Sequence, residues 1–146
     1  MKTTPQVLLV DDNPADLNLA SEALEQSGRP NRVCTVMDGD EALAYLQRQG
    51  KYANELTPDL VLLDLSLPRK DGRAVLAEIK GDPILRKIPV VVFSTSQAAH
   101  DISLSYELGA NGYVCKPGNL HDYLLAIQSI TDFWFGYARL PRKEDR

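Results

Sequence analysis

Cysteine is nearly absent from this 146-residue chain, which has only Cys34 and Cys115. The two share no CxxC spacing and fall inside apolar, strand-like runs, so core packing rather than redox work is their expected role. Histidine is equally scarce, and His100 and His121 have no second ligand at i+3 or i+4; both read as surface residues. No apolar run approaches the ~20 residues that span a bilayer, and the start Met1-Lys2-Thr3-Thr4-Pro5-Gln6 lacks a signal-peptide core. No membrane association is expected, and the expected compartment is the cytoplasm. Basic residues form no stripe and the net charge is −4, which argues against nucleic acid as the main partner. The mildly basic ending, Arg139 and Arg142-Lys143-Glu144-Asp145-Arg146, reads as a solvated terminus. Neither a GxGxxG nor a GxxxxGK[ST] run occurs, which removes the usual nucleotide-binding readings.

What is present is a regular alternation. With 44% apolar and 25% charged residues, the chain has the make-up of one soluble domain able to bury a core without staples. Gln6–Val10 is a short apolar run, followed by Asn13-Pro14-Ala15-Asp16: a cap, a proline at the first helical position and an acid in the first turn. Leu17, Ala20 and Leu24 then repeat at helical spacing up to Ser27-Gly28. A second strand is expected over Arg32–Met37, and Asp38 with Glu41 resembles a capping box for the next helix. Residues Gly50–Thr57 read as a loop, Leu60–Leu65 as the third strand, and Gly72–Lys80 as a helix with Val75, Leu76 and Ile79 on one face. Ile88–Ser94, entered through Pro89, is the fourth strand; Asp101–Leu108 is a short helix closed by Gly109; Gly112–Lys116 is the fifth strand. Asn119 and Asp122 cap a last helix carrying Leu120, Leu124, Ile127 and Trp134.

Five strands alternating with five helices imply an α/β fold: a parallel sheet covered on both faces, doubly wound and flavodoxin-like, in the order 2-1-3-4-5. No repeat, low-complexity tract or linker appears. The expected organisation is one domain over 1–146, with its core at about 6–135 and a short extension over 136–146. Too little chain follows Lys116 for a DNA-binding output domain, so output through a protein contact is expected.

In such a sheet every strand ends at the same edge, where ligands bind. Asp11, Asp12, Asp64, Ser94 and Lys116 all fall at expected strand ends. Asp64 stands out because a carboxylate in the apolar run Leu60-Val61-Leu62-Leu63-Asp64-Leu65 is costly to desolvate without a partner. Two like charges near 4 Å repel by about 4 kcal/mol at an effective dielectric of 20. Three crowded carboxylates therefore need a cation or a raised pKa. Oxygen donors with no His or Cys among them suit magnesium, which takes one or two carboxylates and a phosphate oxygen. A single ammonium, Lys116, can pair with an added phosphoryl oxygen.

Four blocks, Val10-Asp11-Asp12-Asn13, Leu63 through Gly72, Phe93-Ser94-Thr95 and Gly109 through Pro117, resemble the signature blocks of receiver domains of two-component response regulators, over residues 6–135. The resemblance implies that Asp64 is a phosphoacceptor for a sensor histidine kinase. It implies that Asp11, Asp12, Asp64 and the backbone carbonyl of Ser66 hold Mg2+. Ser94 and Lys116 would contact the phosphoryl oxygens, and Ser94 with Tyr113 would form the switch that alters the face of the fourth helix, fifth strand and fifth helix. Such a protein assists its own phosphorylation and dephosphorylation but is not otherwise an enzyme. One departure is Thr95, where receivers usually place Ala or Gly after the switch hydroxyl; its branched side chain would crowd the phosphoryl.

The segment Gly50-Lys51-Tyr52-Ala53-Asn54, the run Val75–Lys80 and the ending from Phe133-Trp134 to Leu140-Pro141 resemble single-domain regulators paired with cyanobacterial and bacterial phytochrome kinases. Those regulators tend to dimerise. Independently, Phe133, Trp134, Phe135 and Tyr137 exceed what one helical stripe can bury, so a homodimer contact is expected, against local packing on the domain body. Competing functions remain at this stage. A chemotaxis-type or other stand-alone receiver shares the same blocks. A haloacid-dehalogenase-type phosphatase also uses a strand-end aspartate and magnesium, but needs Asp-x-Asp after the first strand where this chain has the adjacent pair Asp11-Asp12. A constitutive interaction module that has lost phosphorylation would not keep all five signature positions occupied by competent residues.

Overall fold

The structure, a computed structural model, describes residues 4–141; the basic end of the tail, 142–146, and residues 1–3 lie outside the described residues. Strands β1 (Gln6–Val10), β2 (Arg32–Val36), β3 (Leu60–Leu63), β4 (Val90–Ser94) and β5 (Gly112–Cys115) form one parallel sheet in the order β2-β1-β3-β4-β5. Five helices connect and follow them: α1 (Pro14–Glu25), α2 (Gly39–Leu46), α3 (Gly72–Gly81), α4 (Ala99–Glu107) and α5 (Leu120–Thr131). The order is the one the alternation predicts.

Every residue of β1, β3 and β4 is buried, which is why these strands read as unbroken apolar runs. Their side chains still alternate between the two faces. Leu8, Val10, Val61, Leu63, Val90 and Val92 pack with residues of α2 and α3, including Leu43, Val75, Leu76 and Ile79. Val7, Leu9, Leu60, Leu62, Val91 and Phe93 pack with Leu17 and Leu24 of α1 and Tyr123 and Ile127 of α5. The edge strands β2 and β5 are largely half-buried, and so are Cys34 and Cys115, which lie on them. Both are free thiols that are less buried than core packing predicts. His100 and His121 are exposed, as expected.

Local chemistry accounts for the element starts. Asn13 accepts from the backbone N–H groups of Ala15 and Asp16, Pro14 opens α1, and Asp38 accepts from Glu41 N to cap α2. Asp71 caps α3 through Arg73 N, and Asn119 caps α5 through Asp122 N. Several boundaries shift; β2 ends at Val36 and β5 at Cys115, each one residue short of the expected span. β3 ends at Leu63, so Asp64 stands just past the ladder, its N–H still donating to Val10 O at 2.9 Å. β4 begins at Val90, after Pro89, which has no N–H to give. Helix α4 starts at Ala99, two residues before the expected Asp101, with no side-chain cap. The last helix is α-helical only to Thr131. It widens into a π-helical turn over Asp132–Tyr137, closed by Ala138 N donating to Phe133 O at 2.7 Å. The expected loop after α2 holds one 3₁₀ turn, Gly50–Tyr52.

Gly72 packs directly against the main chain beside the site. A methyl group there would overlap the main chain of Asp64 and Leu65, and its N–H donates to Leu65 O at 2.9 Å. Gly72→Ala is therefore expected to cost about 1–3 kcal/mol, the usual penalty for overpacking. Gly118→Ala, which faces open space, serves as the neutral control in urea unfolding. Equal midpoints for the two variants would rule out the steric account.

Candidate functional site

Registers Val10↔Leu63 and Leu63↔Val92 bring the ends of β1, β3 and β4 to one level, so the chain leaves all three strands at the same rim. Asp11 and Asp12 follow β1, Asp64 follows β3, Ser94 ends β4 and Lys116 follows β5. One carboxylate oxygen from each of Asp11, Asp12 and Asp64 lies within 4.8 Å of the others. Asp11 is buried, Asp64 half-buried and Asp12 exposed, so the cluster opens to solvent on the Asp12 side.

Lys116 is the cation of the site. Its side chain is only 5% exposed, and Nζ donates to Asp11 Oδ2 at 2.6 Å, Asp16 Oδ2 at 3.3 Å and Asp64 Oδ2 at 3.4 Å. The strand holds it in place, with Lys116 N donating to Ser94 O at 2.8 Å, and the ring of Phe93 lies 5.8 Å from Nζ. Burial by itself would lower the Lys116 pKa, but the bond to Asp11 and the charges of Asp64, Asp11 and Asp16 outweigh it, so the ammonium is held above its usual range. Burial raises the Asp64 pKa; Lys116 opposes that and the nearby Asp11 charge adds to it. Asp64 is thus an anion short of compensation.

Asp16 is the member that sequence reasoning missed. In the sequence it is an ordinary first-turn acid of α1, yet the Asn13 cap and Pro14 set the helix phase so that it reaches Lys116 across the rim. Tyr123 on α5 is a second: it is 4% exposed, lies beneath the site beside Leu62 and Asp64, and its pKa is pushed up to about 12, chiefly by burial. Neither has a local signal of function, because each depends on an element distant in sequence.

The remaining expected residues fall as follows. Ser94 is buried and its Oγ accepts from Ser96 N at 3.2 Å. Tyr113, half-buried on β5, donates its hydroxyl to Ser96 O at 2.9 Å, so its ring is already turned toward the β4–α4 loop. Ser66 and Thr95 are exposed at the rim. The aromatic cluster lies elsewhere and is divided by the π-turn. Trp134 and Phe135 pack against the α1/α5 core, while Phe133 and Tyr137 remain 52% and 78% exposed.

Chemically, the rim combines an under-compensated carboxylate, two further acids with only oxygen donors and a fixed ammonium. Crowded carboxylates of this kind fit a hard dication, which would offset the charge that Lys116 alone does not cover. No helix among the described residues is long and apolar enough to cross a membrane.

The relatives of the chain agree with this geometry. The response regulator Rcp1 of Synechocystis sp. is 47% identical over 135 residues, 92% of each chain. The crystal structure of the phosphorylated cyanobacterial phytochrome response regulator RcpA superposes with a TM-score of 0.92 at 51% identity, covering 96% of this chain and all of the other. The Mn2+-bound form of Rcp1 gives a TM-score of 0.89 at 46% identity, covering 94% of this chain and 99% of that one. The family pattern of the response regulator receiver domain matches residues 7–128. A rim of acids facing one lysine, on a sheet of this order and with these relatives, has one reading: the chain belongs to the response regulator receiver domain family.

Proposed function

We propose that this response regulator takes a phosphoryl group onto Asp64 from a sensor histidine kinase of the phytochrome type, and signals by a change at the α4–β5–α5 face. The observation that carries this reading is Lys116 Nζ held between Asp11 Oδ2 and Asp64 Oδ2, at 2.6 and 3.4 Å, beside a third acid. In the transfer, an Asp64 carboxylate oxygen attacks the phosphorus of the kinase phosphohistidine. The P–N bond breaks, the imidazole nitrogen leaves with its electron pair, and an acyl phosphate remains on Asp64. Lys116 shifts part of its bonding from the carboxylates to a phosphoryl oxygen. Ser94, whose Oγ accepts from Ser96 N, keeps its hydroxyl proton for another. Asp11, Asp12, Asp64 and the Ser66 carbonyl would hold Mg2+, which when bound offsets the charge of the phosphoryl group. The same residues assist the later hydrolysis. The phytochrome assignment rests on the similarity to the cyanobacterial phytochrome response regulator RcpA.

The test is incubation with acetyl phosphate and Mg2+. One acid-stable, base-labile label per chain is expected, and none in excess EDTA. Continuous release of phosphate at many turnovers would instead favour a phosphatase. Transfer from an autophosphorylated phytochrome kinase should be faster than from an unrelated kinase.

The exposed aromatics Phe133 and Tyr137 supply a candidate surface for self-association. Phe133 and Trp134 line an open groove of about 310 Å³ with Gly112 and Val114 of the edge strand. Tyr137 extends beyond it. Aromatics beside an unpaired strand edge suit a second copy of the chain. Because Trp134 and Phe135 also pack on the core, the double substitution Phe133→Ser/Tyr137→Ser is a cleaner test than truncation after Thr131. Sedimentation should show a dimer for the unaltered chain and a monomer for the variant. Monomers in both would dismiss the dimer.

A further inference from the structure

Ser96 is the junction of the switch region. Its N–H donates to Ser94 Oγ at 3.2 Å, and its carbonyl accepts from Tyr113 Oη at 2.9 Å. Both switch hydroxyls are therefore referred to one residue of the β4–α4 loop. What fixes that residue comes from the other side of the site. Ser96 Oγ donates to Asp101 Oδ2 at 2.6 Å and accepts from Ala98 N at 3.3 Å, just ahead of α4, which has no side-chain cap. Asp101 Oδ1 in turn accepts from Arg73 Nη2 at 2.6 Å.

Arg73 is anchored as well. Its Nη1 lies 3.2 Å from both carboxylate oxygens of Asp71, and its N–H donates to the same side chain. Asp71 begins α3, whose Gly72 packs on the main chain of Asp64 and Leu65. A continuous chain of contacts thus runs from the backbone of the phosphoacceptor candidate through Gly72, Arg73 and Asp101 to Ser96, and from there to Ser94 and Tyr113. The Arg73 and Asp101 side chains are 32% and 19% exposed, so the pair is partly shielded from solvent screening.

We propose that Arg73 and Asp101 form a brace that positions Ser96, and through it sets the resting balance between a docked and an undocked Tyr113. The brace rests on the switch reading of Ser94 and Tyr113 given above. Neither residue touches the acids of the rim; each acts through Ser96 and is a positioning residue. Breaking the Arg73–Asp101 link frees the loop to move with α4, whereas an intact link keeps the Tyr113 hydroxyl seated on the Ser96 carbonyl before any phosphoryl arrives. A guanidinium is charged throughout the neutral range, and the bonds from Ser96 and Arg73 hold the Asp101 carboxyl below its usual range, so the link persists across neutral pH.

The experiment uses the full chain labelled with 3-fluorotyrosine, with the Tyr113 fluorine signal assigned from Tyr113→Phe. Spectra are taken without a phosphoryl donor for Arg73→Met, Asp101→Asn and the double variant. Asp101→Asn keeps an oxygen for the Ser96 hydroxyl but loses the charge that Arg73 meets. Each single variant is expected to lower the docked-to-undocked ratio of Tyr113 roughly fivefold, the low end of coupling between communicating sites. The double variant should be no worse than the larger single effect, because the two residues share one link. Unchanged Tyr113 signals, or effects that add in the double variant, overturn the brace. Since no donor is present, failure here is separate from failure of Asp64 to take a label.

Discussion

Asp64→Asn is expected to take up no phosphoryl label from acetyl phosphate and Mg2+, while Asp71→Asn takes up as much as the unaltered chain. The two acids differ in what surrounds them. Asp64 lies at the centre of the rim, 3.4 Å from Lys116 Nζ, and shares a cation-binding cluster with Asp11 and Asp12. Asp71 accepts from Arg73 N as the cap of α3, a role that Asn fills equally well. An amide at position 64 is neutral and a poor nucleophile, and it cannot form the acyl phosphate. The same substitution should raise the melting temperature measured in EDTA, because burial and the Asp11 charge disfavour the Asp64 anion and the amide removes that cost. A label persisting in Asp64→Asn would move the phosphoacceptor elsewhere; a lower melting temperature would contradict the electrostatics.

Lys116→Met should be the most destabilising change at the rim. Removing one partner of a buried ion pair leaves an uncompensated charge and costs about 3–5 kcal/mol. Lys116 serves Asp11, Asp16 and Asp64 at once, and the side chains of Asp11 and Asp64, which follow β1 and β3, are only 11% and 14% exposed. The measurement is urea unfolding at neutral pH, first in EDTA and then in millimolar Mg2+. Added Mg2+ is expected to restore part of the loss in Lys116→Met, since a dication answers the same carboxylates. The variant should also accept the label far more slowly, with no ammonium to meet a phosphoryl oxygen. Stability unchanged by the substitution would mean that the carboxylates take up protons instead of relying on the lysine.

The fold was largely legible because its signals are local. Strands buried on both faces read as near-continuous apolar runs, and Val7–Val10, Leu60–Leu63 and Val90–Phe93 are such runs, with polar Gln6 and Ser94 only at strand ends. Caps such as Asn13 and Asp38 bond backbone groups two or three residues ahead, so their spacing announces the helix. What escaped were features built across the chain. Asp16 meets Lys116 over a separation of 100 residues, and Arg73 meets Asp101 over 28. Each looked locally like an ordinary surface charge. The π-turn escaped too: Phe133, Trp134, Phe135 and Tyr137 read as one crowded stripe, and only the widened turn sends two inward and two outward.

The alternation of strands and helices, the helix caps, and the acids, serine and lysine at strand ends are all written in the order of residues. These follow from burial and from bonds between near neighbours. The folded sheet is what puts Lys116 nearest Asp11, at 2.6 Å, and farther from Asp64, at 3.4 Å. It alone turned Tyr113 onto Ser96 and linked Ser96 back to Arg73 through Asp101. The reason is geometric: parallel strands joined by crossover helices put side chains together by register, and register is a property of the folded sheet, not of any one segment.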